Sequence, residues 1–232
     1  MADLDNILRT LERHGNLRNL AGMARYGINT KRAFGVSMPY LRATAKKLGR
    51  NHALATQLWG SGVHEARILA SLIDEPSAVT ERQMDAWARG FDSWDLCDQC
   101  CANLFEKTRF AYRKAAEWGG AGKEFVRRAG FVMMARLAVS DKNAPDEPFE
   151  RFLGMVEHGS DDPRNFVRKA VNWALRQIGK RNAKLNRRAI GCARRISRRG
   201  TASARWIASD ALRELSGPAM LKRLERRRVK RS

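Results

Sequence analysis

Phe166-Val167-Arg168-Lys169-Ala170 repeats Phe125-Val126-Arg127-Arg128-Ala129 at an interval of 41 residues, and this echo decides the fold class. Ala204-Arg205-Trp206-Ile207-Ala208 reads as a third, poorer copy, and Glu65-Ala66-Arg67-Ile68-Leu69 as an earlier one. A period of about 40 residues accommodates two helices and the turns that join them. One such pair cannot bury its apolar face alone, so neighbouring pairs stack and share a continuous core.

The rest of the chain agrees with helices throughout. Period-2 alternation and Asn-Gly or Asp-Gly hairpin turns are missing, while amphipathic stretches of about 10–18 residues recur. The pattern predicts helices over 3–14, 17–26, 37–47, 53–59, 64–73, 80–89, 93–106, 110–118, 123–139, 147–158, 162–180, 183–198, 201–215 and 220–228. Ser37 and Asp162 are expected as N-caps, with Pro163 at the first helical position, and Gly49 and Gly200 as stops. The expected architecture is all-α: HEAT-like helical repeats forming a curved α-solenoid with a basic concave face. No linker or low-complexity segment divides the chain, so residues 1–232 read as one domain, with about 219–232 a basic tail.

Charge is distributed unevenly. The chain of 232 residues has 45 Lys/Arg against 24 Asp/Glu, a net of +21. From Arg164 to Ser232 there are 22 Lys/Arg and three acids (Asp210, Glu214, Glu225), so the last third holds nearly all the excess. There the basic residues interleave with apolar ones at helical spacing, which is the electrostatic footprint of a phosphate-backbone binder. The start shows no basic segment followed by an apolar run, and no stretch of about 18 apolar residues occurs, so no signal peptide or membrane span is expected. A soluble cytoplasmic protein is the default expectation.

Three of the four cysteines, Cys97, Cys100 and Cys101, crowd one helix, with Cys192 apart. Cys97-x-x-Cys100 lacks the βαβ setting of a redox motif and the second ligand pair of a zinc site, so the thiols read as small buried apolar groups. His14, His52, His64 and His158 have no metal spacing and receive no role.

Ser93-Trp94-Asp95-Leu96-Cys97-Asp98 carries the chemistry. Trp94 and Asp98 are four apart on a helix and share one face, while Asp95 lies about 100° round from Trp94 and points elsewhere. An indole beside an anion, in a basic protein, is a place to hold a cation against a negatively charged polymer.

Four segments then point to a family. Met23-Ala24-Arg25-Tyr26 with Phe34-Gly35-Val36-Ser37-Met38-Pro39, the Ser93–Asp98 motif, Phe125-Val126-Arg127-Arg128, and Phe166 through Trp173 to Arg176 occur in the order found in the AlkD-type DNA alkylation repair glycosylases. The chain resembles that family from residue 23 to 176. The resemblance implies removal of cationic alkylated purines, such as N3-alkyladenine and N7-alkylguanine, from duplex DNA during base excision repair. It places Trp94, Asp98 and Trp173 at catalytic cleft positions, Arg128, Arg136 and Arg176 at DNA-contacting positions, and Tyr26 along the cleft. Arg168 and Lys169 join the DNA-binding set. The chain departs from the family pattern at Phe125, where a tryptophan is usual, at basic Lys169, and in its arginine-rich C-terminal region.

The chemistry suits these residues. A cationic base is already a good leaving group, and the barrier lies in positive charge building on the sugar. A fixed carboxylate stabilises that charge, as do indole faces. Asp98 would also position or deprotonate the attacking water. The expected protein is a monomeric, monofunctional hydrolase on double-stranded DNA containing alkylated bases. It needs no metal or organic cofactor, has no Schiff-base lysine and leaves an abasic site. Two alternatives stand beside it: a non-catalytic HEAT-like protein that binds branched or damaged DNA, and a scaffold for RNA or protein partners. Trp94 and Trp173 could equally be core aromatics, and Asp98 a partner for a buried arginine.

Overall fold

The computed structural model describes residues 3–229, and every described segment of regular structure is helical. The chain divides between Arg109 and Phe110 into two compact units. The first contains α1 (Leu4–Arg13), α2 (Leu17–Arg25), α3 (Met38–Leu48), α4 (His52–Gly60), α5 (His64–Ile73), α6 (Glu81–Arg89) and α7 (Trp94–Asn103), followed by a 3-10 turn at Phe105–Lys107. The second contains α8 (Ala111–Gly119), α9 (Glu124–Ser140), α10 (Glu147–Gly159), α11 (Asn165–Gly179), α12 (Ala183–Ser197), α13 (Ala202–Leu215) and α14 (Pro218–Val229). Residues 230–232 of the expected basic tail lie outside the described residues.

Helix boundaries follow local chemistry. Asn16, Asn51, Thr80, Asn182 and Thr201 each accept a backbone N–H of the first turn through their side chains, satisfying donors that have no partner within the helix. The expected cap at Asp162 is displaced. α11 starts at Asn165, because the Asp162 carboxylate is taken up by the Arg164 backbone N–H at 3.0 Å and its guanidinium at 2.6 and 2.9 Å. Arg164 also donates to the Gly122 carbonyl at 2.6 Å, which fixes the entries to α9 and α11 together.

In the first unit α5 packs against α3, α4 and α7. It is the most buried helix there: only Arg67 and Leu72 of its ten residues are partly exposed. Trp59 and Trp87 stack at 4.2 Å with planes 3° apart, and Phe91 and Phe105 complete an aromatic cluster beside them.

In the second unit three helix pairs stack as HEAT-like repeats. α9, α11 and α13 pack side by side in one layer, and α8, α10 and α12 in the other. The sequence echo has a direct structural meaning here: Phe125 and Phe166 occupy equivalent places in successive repeats, with ring centroids 5.6 Å apart. Gly130 lets α9 cross α8 at backbone contact, since a Cβ there would overlap Gly119. Phe131 and Phe149 are fully buried, and burying a side chain of that size contributes about 1.5–3 kcal/mol. The cysteines are all free and buried, and burial pushes the Cys192 thiol up to about 12.

Candidate functional site

Trp94 is the first residue of α7, with Ser93 as its N-cap. Its indole Nε1 donates to the Tyr26 carbonyl at 2.9 Å. Tyr26 closes α2, where its own N–H turns back to Gly22 and Met23. A second tie lies beside the first: the Asn29 amide donates to Asp92 at 2.9 Å. The 26–29 segment is thereby pinned to the start of α7, and the plane of the Trp94 ring is fixed by a backbone acceptor. The Tyr26 ring stays 70% exposed. Asp98, half-buried, follows one turn along α7, about 6 Å further along the axis.

Asp95 turns away from that face, as its angular offset requires. Its Oδ2 meets His64 Nε2 on α5 at 2.9 Å. Burial alone would lower the His64 pKa, but the Asp95 hydrogen bond and charge, with Glu65 and Asp92 nearby, outweigh it and raise the value above 6.5. Burial would likewise raise Asp95, yet His64, Ser93 and the Leu96 N–H hold it below the usual carboxylate range. His64 therefore has a structural role that spacing could not reveal, since it lies 31 residues from its partner. Glu65 was equally hidden. It is 1% exposed, and its carboxylate accepts the backbone N–H groups of Phe34, Gly35 and Val36 at 2.6–3.2 Å. The one signal available was a single acid within the apolar run of α5.

The second unit supplies the other named residues. Lys169, Trp173 and Arg176 are spaced i, i+4 and i+7 and share a face of α11. Lys169 is exposed and has no ion-pair partner among the described residues, whereas Trp173 is half-buried. Arg176 is held between Asp210 at 2.8 Å and Glu214 at 3.1 Å. Asn172 donates to the same Asp210 oxygen at 2.7 Å. Arg168 lies over the Trp206 ring at 4.9 Å. Arg136 is half-buried on α9. Arg128 departs from the expected DNA contact: it is 6% exposed, and its guanidinium donates to the Phe166 carbonyl at 2.6 Å. Its observed work is to tether α9 to α11.

The paired helices of the second unit, in two layers, define a HEAT-like repeat protein. The chain belongs to the DNA alkylation repair enzyme family, whose model matches residues 7–215. A solved structure of "a new family of proteins related to the HEAT-like repeat DNA glycosylases with affinity for branched DNA structures" has the same fold. It aligns with a TM-score of 0.77 at 22% identity, over 92% of this chain and 95% of that one. Comparison with the curated proteins gives no match.

Proposed function

We propose that the protein is a monofunctional DNA glycosylase that hydrolyses the N-glycosidic bond of cationic alkylated purines in duplex DNA, acting as a monomer. The observation that carries this reading is Trp94, oriented by its N–H bond to the Tyr26 carbonyl, with Asp98 one turn along the same helix. Family membership supports it.

In this reading the bond between C1′ and the base nitrogen breaks, and its electron pair leaves with the base, which becomes neutral. Positive charge develops on the sugar, and the Asp98 carboxylate and the Trp94 ring stabilise it. Asp98 orients the water that adds to C1′ and takes its proton. The resemblance to the family assigns Trp173 a catalytic part as well. The Tyr26 ring and Lys169 contact the DNA, as do Arg136, Arg168 and Arg176. Because the leaving group is already charged, no strong general acid is needed.

The test is incubation with DNA carrying N7-methylguanine or N3-methyladenine, scored for free base. Release well above the spontaneous rate is expected. Folded protein that binds this DNA and releases nothing would overturn the enzymatic reading. That outcome would favour the second reading, a non-catalytic binder of branched DNA, to which the structural likeness lends support. The joint presence of Trp94, Asp98 and Trp173 favours catalysis.

A further inference from the structure

We infer that α12 forms a second DNA-binding surface, on the opposite layer of the second unit from the α11 stripe, where a further duplex segment is held by its phosphates. The inference takes DNA as the polymer from the family reading but does not depend on base release.

Residues 183–199 contain seven Lys/Arg and no acid. Leu185, Ala189, Cys192, Ala193 and Ile196 are buried and form the face that α12 turns to its neighbours. The cations lie away from it, in two rows. One row meets acids near α10: Lys184 reaches Glu150 at 2.9 Å, Arg188 the same carboxylate at 3.8 Å, Arg195 reaches Glu157 at 2.9 Å and Arg199 reaches Asp161 at 2.5 Å. The other row is Arg187, Arg194 and Arg198. These three are exposed and have no ion-pair partner among the described residues.

Their spacing of i, i+7 and i+11 aligns them on one stripe. At 1.5 Å per residue the stripe is about 16 Å long, which matches about five base steps of a duplex at 3.4 Å each. Between α10 and α12 runs a groove of about 550 Å³, lined by Arg187, Arg188 and Arg195 together with the paired Glu150, with Gly154 and Gly191 among its walls. A Cβ at Gly154 would meet nothing within 4 Å, so the groove is open there.

Like charges at helical spacing repel and destabilise the helix that carries them. A stripe of this kind gains most from a partner with regularly spaced anions. A duplex carries about one negative charge per 1.7 Å of axis and releases counterions as each phosphate is neutralised. The α11 stripe belongs to the α9–α11–α13 layer and α12 to the α8–α10–α12 layer, so occupancy of one does not consume the other.

The experiment is binding stoichiometry of the full chain with an undamaged duplex of about twelve base pairs, slightly more than one helical turn, read by native mass spectrometry and by salt titration. Wild type should take up two equivalents. The triple variant Arg187→Gln, Arg194→Gln, Arg198→Gln should take up one, with the affinity of the remaining site unchanged and helicity by circular dichroism equal to wild type. The site lost should show a salt slope of about −3, from three phosphate contacts at about −0.9 each. A single equivalent for wild type, two equivalents for the variant, or loss of both in the variant would overturn the inference. So would a second site that accepts an RNA hairpin but no DNA. The variant should release alkylated base from a short lesion duplex at the wild-type rate. Failure of base release in the wild type would overturn the glycosylase reading while leaving the stoichiometry as predicted.

Discussion

The two units, divided between Arg109 and Phe110, are both helical, yet they differ in how many ionisable groups they carry and where these point. The first unit has 15 Lys/Arg against 12 Asp/Glu, and several of its acids point inward. Glu65 gathers three backbone N–H groups, Asp95 pairs with His64, and buried Asp74 takes His52 at 2.7 Å and Gln83 at 2.6 Å. The second has 30 Lys/Arg against 12 Asp/Glu, and its exposed arginines exceed what its acids can pair. It relies on close helix crossings, such as Gly130 on Gly119, to hold its layers. Charge serves cohesion in both units, as Arg128 and Arg164 show in the second, and the second carries a large excess of cations besides.

That contrast can be broken by substitution. Glu65→Ala should have the largest effect on stability, because three backbone N–H groups, two of them buried, lose their acceptor at once. Each unsatisfied donor costs about 1–3 kcal/mol, so a loss of about 3 kcal/mol or more is expected, read as a fall of about 6–12 °C in Tm. Gly130→Ala should come next, since the added methyl must push α9 off α8. Overpacking of this kind costs about 1–3 kcal/mol, and equilibrium unfolding in urea would measure it. A stability equal to wild type for either variant would contradict the packing described.

The His64–Asp95 pair predicts a smaller, pH-dependent effect. His64 has a raised folded pKa, so its contribution is complete below its ordinary 6.5 and disappears as pH rises through the raised value. Asp95 has a lowered one, so its contribution is present above the ordinary 3.8 and is lost as pH falls through the lowered value. The pair therefore stabilises the first unit between those two limits. Tm measured across pH should fall on the alkaline side of His64's transition, and His64→Gln should remove that fall. The smallest effect belongs to the second unit: Lys169→Gln should reduce the salt slope of DNA binding by about 0.9, the value of one phosphate contact, with stability unaltered. An unchanged slope would remove Lys169 from the interface.

The helices were legible in the sequence chiefly through their apolar periods; the predicted span 64–73 matches α5 to the residue although no side chain caps it. The repeat was legible because Phe125 and Phe166 perform the same packing task one repeat apart. The divergence of Asp95 from Trp94 followed from helix geometry alone. What stayed hidden depends on contacts between distant segments. The His64–Asp95 bond is set by the register of α5 against α7, and the burial of Arg128 by the approach of α11 to α9. The N-cap expected at Asp162 does not form, because the Arg164 side chain two residues on takes up its carboxylate and α11 starts at Asn165.

The most direct test of the catalytic assignment is single-turnover release of N7-methylguanine by Asp98→Asn at saturating DNA, alongside wild type. Removing one preorganised electrostatic group costs about 3–4 kcal/mol of barrier, so release should slow by roughly two to three decades while DNA affinity is retained. Release by Asp98→Asn at the wild-type rate would contradict the account.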